Sequence, residues 1–261
     1  MPEHPLNPVL PECLFCCIMM PGPKDPEFTV RMVSAVSAVK MSNLNFDMPV
    51  RSSEASIVYR YKNNLYLNLT NKCPCACTFC ERNMRDRIGH SSRLWLSHEP
   101  SFAELTSALD QYDLTSFEEI VFCGFGEPTE AFDVLLETAR YLKGLCLTDK
   151  TGRSIPIRLD TNGLGNRINR RDIAPDLEGL LDRVSISLNA PDAETYQKLV
   201  RPKFGIESWQ AVVDFAVEVK NYVPFVRLTT VDTTLTRDEE KRCRELCRSM
   251  DVTYFIRAWG S

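Results

Sequence analysis

A chain of 261 residues, 44% hydrophobic and 9% aromatic, has enough apolar surface for one sizeable core, and a barrel-like α/β domain of roughly 200–250 residues would use most of it. Its 31 basic and 35 acidic residues give a formal charge of -4, which makes no strong case for nucleic acid or an anionic membrane, although a local basic groove is left open. Eleven cysteines in a chain of this length, with no charged-then-apolar leader and no apolar run near the ~18 residues of a membrane helix, point to reduced thiols in a cytoplasmic protein rather than a disulfide scaffold.

Residues 1–53 are punctuated by Pro2, Pro5, Pro8, Pro11, Pro21, Pro23 and Pro26 and show no sustained periodicity, so they read as a disordered N-terminal extension. A CxxC site at Cys13 and Cys16, with Cys17 adjacent, is the metal or redox alternative there, and a translation start further on, such as Met48, is another. The core domain is expected over 54–261. A run over 56–61, turning at Asn63-Asn64, predicts a hairpin or edge strand beside the first parallel strand. Parallel strands are expected at 66–69, 120–123, 155–159, 184–188, 226–230 and 253–257, alternating with amphipathic helical stretches. Helices are predicted at 130–142 behind Thr129, at 209–220 behind Ser208, and from Thr236, where Glu239 completes a capping-box pattern. The fold class is α/β. Right-handed crossovers would put every strand C-terminus on one rim, where barrel enzymes build their sites.

Chemistry concentrates at those strand ends. Directly after Leu65-Tyr66-Leu67-Asn68-Leu69 come Cys73, Cys77 and Cys80 in CxxxCxxC spacing, a triplet able to hold three irons of a [4Fe–4S] cluster and leave the fourth without a protein ligand. Cys75 lies close enough in sequence to compete, but only the triplet gives three-then-two spacing. Gly124-Phe125-Gly126-Glu127-Pro128-Thr129 follows the next strand, and Asp160-Thr161-Asn162-Gly163 the one after; ordinary turn chemistry also accounts for Asn162-Gly163. Alternation along Val184-Ser185-Ile186-Ser187-Leu188-Asn189 places Ser185, Ser187 and Asn189 on one side. Weaker candidates are Arg201, Arg227, Thr229, Thr230 and Arg257. Cys123 reads as small core packing beside the site, Cys146 has no evident partner, and Cys243 with Cys247 share a helical face where a second cluster-ligand pair is conceivable.

Over residues 58–257 the chain resembles the radical S-adenosylmethionine (radical SAM) superfamily, and the Leu65 to Cys73 run, the Gly-Phe-Gly-Glu-Pro-Thr variant of the GGEP motif and Val226-Arg227-Leu228-Thr229-Thr230-Val231-Asp232 look most like its TatD-associated radical SAM proteins. The resemblance implies a partial (β/α)6 TIM-like barrel. It also implies a [4Fe–4S] cluster on Cys73, Cys77 and Cys80, with S-adenosyl-L-methionine chelating the open iron and cleaved reductively to a 5′-deoxyadenosyl radical that abstracts hydrogen from an unidentified substrate. Cofactor contacts carried over are Phe79 beside adenine, Gly126 and Glu127 toward the methionyl ammonium, Asp160 and Asn162, and Ser187 with Asn189 toward ribose and carboxylate. A reductant such as flavodoxin or ferredoxin is the implied partner, and the substrate is a small molecule or a protein. The chain ends before any cysteine-rich auxiliary-cluster extension of the kind many peptide-modifying relatives carry. A glycyl-radical-enzyme activase and a non-catalytic zinc-binding module on Cys73, Cys75, Cys77 and Cys80 are the competing readings.

Overall fold

The computed structural model describes residues 55–89 and 91–259, so the expected extension over 1–53, with Cys13, Cys16 and Cys17, lies outside the described residues. The described chain opens with a hairpin, β1 (Val58–Tyr61) against β2 (Asn64–Leu67), antiparallel with Tyr61 opposite Asn64. Five more strands follow, β3 (Ile120–Phe122), β4 (Ile157–Thr161), β5 (Arg183–Ser187), β6 (Phe225–Val231) and β7 (Thr253–Arg257). They extend β2 in parallel and in chain order, giving a seven-stranded sheet with β1 and β7 at its edges. No ladder joins those edges among the described residues, so the sheet is the open, partial form of a barrel rather than a closed ring.

Helices cover the outer face: α1 (Phe102–Leu109), α2 (Phe132–Gly144), α3 (Gly165–Asn169), α4 (Ala193–Val200), α5 (Ser208–Val219) and α6 (Arg237–Ser249). Period-two alternation divides each strand between two environments. Leu65, Leu67, Ile120, Phe122, Leu159 and Leu228 are fully buried in the core beneath the helices, while Tyr66, Arg158, Asp160, Ser185, Ser187 and Arg227 line the concave side. That concave side is ionic at its base: Arg158 bonds Glu119 at 2.9 Å and also Asp160, and Arg183 takes the other oxygen of Glu119.

Several boundaries differ from the sequence reading for identifiable reasons. The hairpin turns on Lys62 and Asn63, one residue earlier than expected, with Lys62 in the left-handed region at φ 53. β4 begins at Ile157, not 155, because Pro156 has no N–H to give the ladder and the Ile155 amide instead bonds the Leu147 carbonyl at 3.0 Å. Thr129 does not cap α2; Glu127 caps the preceding 3-10 turn (Pro128–Ala131) by accepting from the Thr129 amide. Ser208 lies inside α5 and is fully buried. Cys243 and Cys247 are buried in the hydrophobic core, where burial pushes each up to about 12 and they pack as small apolar side chains. The expected Thr236–Glu239 capping box at α6 is present, and a second one, Ser101 with Glu104, starts α1.

Candidate functional site

The strand C-termini and their loops surround a cavity of about 760 Å³. Its rim is built by the segment after β2, which carries the four closely spaced cysteines. Three backbone hydrogen bonds pin that segment to the end of α4 and the residues beyond it: Ala76 N–H to Val200 O at 3.0 Å, Thr78 N–H to Leu199 O at 2.9 Å, and Lys203 N–H to Pro74 O at 2.8 Å. Cys75 pairs in the same way with Pro202. The 199–202 run therefore works through its backbone. The Arg201 side chain, read as a carboxylate partner, is exposed and outside the cavity lining, because Arg201 ends α4 in the left-handed region.

Cys73, Cys75, Cys77 and Cys80 all line the cavity, yet they are not equivalent. Cys75 is 5% exposed and its thiol interacts with both Cys73 and Cys77, which pulls both of their pKa values down and pushes its own far up, its single proton being shared between two sulfurs in turn. Burial raises Cys80. Among the described residues no three His, Cys, Asp or Glu side chains already stand around a single-ion position. A cubane places each thiolate on a different iron, so its ligands need not converge on one point. Arg82, which the sequence reading passed over, braces the loop by donating to the carbonyls of Asn71 at 3.3 Å, Phe125 at 3.4 Å and Cys75 at 3.2 Å, and so fixes a positive charge beside the thiols. Trp259 closes the far side, its indole N–H bonding the Phe79 carbonyl at 3.3 Å.

Glu127 ties three loops together. Its Oε1 accepts from the Thr129 amide (3.2 Å), the Thr129 hydroxyl (2.8 Å) and the Thr161 hydroxyl (2.7 Å), and its Oε2 from the Asn162 amide (2.7 Å). It is 3% exposed, and burial raises its pKa despite these donors. Oε2 accepts one hydrogen bond, which leaves it further acceptor capacity, and Glu127 is part of the cavity lining. The glycines before it line the cavity and also pack closely against the protein's own chain. A Cβ on Gly124 would stand 2.0 Å from Asn68 Oδ1, and one on Gly126 would stand 2.1 Å from the Thr70 carbonyl oxygen, which is what lets Glu127 N–H reach the Lys72 carbonyl at 2.8 Å. Gly126→Ala is therefore expected to cost about 3 kcal/mol through backbone displacement. Urea unfolding checks it, and a midpoint equal to wild type would refute the close-packing account. Phe125, between the glycines, is buried and meets Trp95 edge to face at 5.4 Å.

The remaining expected residues divide. Asn162 closes its own turn by accepting from Leu164 N–H at 2.8 Å and turns its amide toward the Cys73 and Cys75 sulfurs at 3.9 and 3.8 Å. Asp160 lies in the cavity wall but is already engaged by Arg158. Phe79, Gly126, Ser187 and Asn189 line the cavity. Asn189 stands out: it sits in the left-handed region at φ 59, is 4% exposed, and its Oδ1 accepts no hydrogen bond. A buried acceptor on the cavity wall that takes no hydrogen bond from the chain is available to a donor on a bound group. Thr229 faces the cavity, whereas Thr230 points to the helical side and bonds Tyr254 Oη at 2.7 Å. Cys123 is in the cavity wall, not the core, and burial pushes it to about 12.

An open, parallel α/β half-barrel with a thiol-rich rim defines a class of cofactor-dependent barrel proteins. Residues 67–247 match the family profile described as the Radical SAM superfamily, and the chain belongs to that superfamily. It is 30% identical over 168 residues to the probable dual-specificity RNA methyltransferase RlmN 1 of Protochlamydia amoebophila, a match covering 58% of this chain and 40% of that protein. It is 33% identical over 148 residues to the GTP 3′,8-cyclase of Corynebacterium glutamicum, covering 54% and 35%. The chain thus spans well under half the length of these curated relatives. Among solved structures it is similar in fold to a radical SAM methyltransferase from Sphaerobacter thermophilus (TM-score 0.51, 15% identity, 77% of this chain and 68% of that one). It is also similar to Streptococcus suis SuiB bound to S-adenosylmethionine (TM-score 0.53, 15% identity, 74% and 40%). No helix among the described residues is long and apolar enough to cross a membrane.

Proposed function

We propose that this protein is a radical SAM enzyme of the TatD-associated type, its core domain spanning 54–261, with a [4Fe–4S] cluster on Cys73, Cys77 and Cys80 and S-adenosyl-L-methionine in the adjoining cavity. The observation that carries the reading is the meeting of three correctly spaced thiols with the orphaned Asn189 acceptor in one cavity. The chemistry supplied by that pair when bound is one-electron cleavage of S-adenosylmethionine to a 5′-deoxyadenosyl radical, and a flavodoxin- or ferredoxin-like reductant is the fitting electron donor.

The chain's own part is binding, orientation and exclusion of water. Asn189 Oδ1 and the spare Oε2 lone pair of Glu127 accept from ammonium or ribose hydroxyl donors, Ser187 adds a hydroxyl beside them, and Phe79 offers a ring for the base. Arg82 lowers the electrostatic cost of gathering thiolates. Asn162 holds the thiol loop against the β4 turn, and Asp160 keeps Arg158 from competing for the cofactor carboxylate.

The test is anaerobic reconstitution with iron and sulfide, dithionite reduction and chromatographic assay of 5′-deoxyadenosine. Formation that requires the added S-adenosylmethionine supports the reading. A loaded, reducible cluster giving none would sink it, and zinc in place of iron after anaerobic purification would favour the zinc module.

A further inference from the structure

Inside the barrel the positive charge is unequally spent. Arg158 is engaged by Glu119 and Asp160, and Arg183 by Glu119, which uses both carboxylates at the base of the cavity. Arg227, on β6, is left without a carboxylate among the described residues: its Nε bonds the Ser185 hydroxyl at 3.0 Å and its guanidinium lies 5.3 Å over the Phe255 ring. It is half-buried and lines the same cavity as the cysteines. The ladder pairs it with Ser185 and places it one inward-facing position deeper than Ser187 and Thr229, so it stands below the row that reaches up to Asn189. Burial, and then the nearby Arg158 charge, depress its pKa, and the Asp160 and Glu119 carboxylates offset this only in part, across space, because neither forms an ion pair with it. Phe255 beside it is a large apolar side chain left 48% exposed. A fork of N–H donors matches the two oxygens of a carboxylate or phosphate in a way a point charge does not.

We propose that Arg227 is the substrate anchor of the cavity, taking an oxyanion of the substrate, carboxylate or phosphate, whose planar or apolar body lies against Phe255; the assignment to substrate rests on the radical reading of the rim above. An anionic group held at the cavity base leaves the rest of the molecule directed toward the rim, where hydrogen abstraction takes place.

Ligand-observed NMR titration of the full chain as purified, with benzoate, phenyl phosphate and neutral benzamide as probes, tests this without any cluster. At least one anion is expected to bind about tenfold or more tighter than benzamide; which of the two does so separates carboxylate from phosphate. The preference should vanish in Arg227→Gln, survive in part in Arg227→Lys, and be untouched by Lys241→Gln, the same charge change at a residue whose side chain is 71% exposed. Equal binding of benzamide, no binding of either anion, or an unchanged preference in Arg227→Gln would overturn the anchor, and the wild-type comparison alone decides should Arg227→Gln not fold. In reconstituted protein, S-adenosylmethionine and the anion are expected to bind together. Displacement of the anion by S-adenosylmethionine would give Arg227 to the cofactor and overturn the substrate assignment. Failure of the radical reading shows separately, as absence of 5′-deoxyadenosine from a loaded cluster.

Discussion

Glu127→Ala is expected to lower stability by about 3–5 kcal/mol, a fall of roughly 10 °C or more in the midpoint for a domain of this size. The alanine leaves the Thr129 and Asn162 amides and the Thr129 and Thr161 hydroxyls without their acceptor in a site that is 3% exposed to water. Glu127→Gln does not rescue it fully. An amide turns an NH2 toward one of two fixed N–H donors, Asn162 or Thr129, so about half of the loss is expected to remain. The variants differ from wild type in pH dependence as well. Burial raises the Glu127 pKa above the ordinary 4.5, so between 4.5 and its native value the folded chain holds a proton that the unfolded chain has released. Stability from this group is therefore fully present below 4.5, declines as pH rises through that window and is level above it. Glu127→Gln removes that decline. Chemical unfolding at a series of pH values measures both effects, and an alanine variant within 1 kcal/mol of wild type at neutral pH would show that Glu127 does not brace the loops.

The same residue shows where sequence was and was not legible. The Gly-Phe-Gly-Glu-Pro turn is visible in the string because closely spaced Gly and Pro punctuate the chain just after an apolar strand. How closely its glycines pack against the chain's own backbone is not, because the contact with Thr70 and Lys72 is set by how two loops stack. Strands were readable from period-two alternation, and β7 was placed residue for residue at 253–257. β4 starts two residues later than its apolar run because Pro156 has no N–H for the ladder. α1 was overlooked although Ser101 and Glu104 spell a capping box, and α4 although Asp192 caps it through the Thr195 amide; both signals were in the string. Arg82 and Trp259 had no such signal. Each acts on a backbone carbonyl, a partner with no residue type to read. Arg227 was legible only as a weak candidate, since an arginine in a strand is ordinarily solvated. Its distinction comes from Glu119 and Asp160 being committed to other arginines, which only the folded arrangement decides.

Four alanine substitutions, taken one at a time in the thiol loop, are expected to fall into two classes. Cys73→Ala, Cys77→Ala and Cys80→Ala should each lose the reconstituted iron and sulfide and reduce 5′-deoxyadenosine formation by about a thousandfold or more, since loss of one of three ligands frees a cluster that has no fourth protein ligand to hold it. Cys75→Ala should keep iron near the wild-type level. The residue is 5% exposed, its thiol interacts with Cys73 and Cys77, and its backbone is committed to the pairing with Pro202, so it is fixed as the spacer of the loop. Once Cys73 and Cys77 are bound to iron they no longer need the Cys75 thiol as a donor, so its removal costs only buried volume, about 1–2 kcal/mol of stability. Iron and sulfide analysis beside the deoxyadenosine assay separates the classes. Loss of iron in Cys75→Ala as complete as in Cys77→Ala would put Cys75 in the ligand set. If the wild type instead retained zinc and all four variants lost it, the loop would be a closed four-thiolate site, with no open position at which a cofactor could bind.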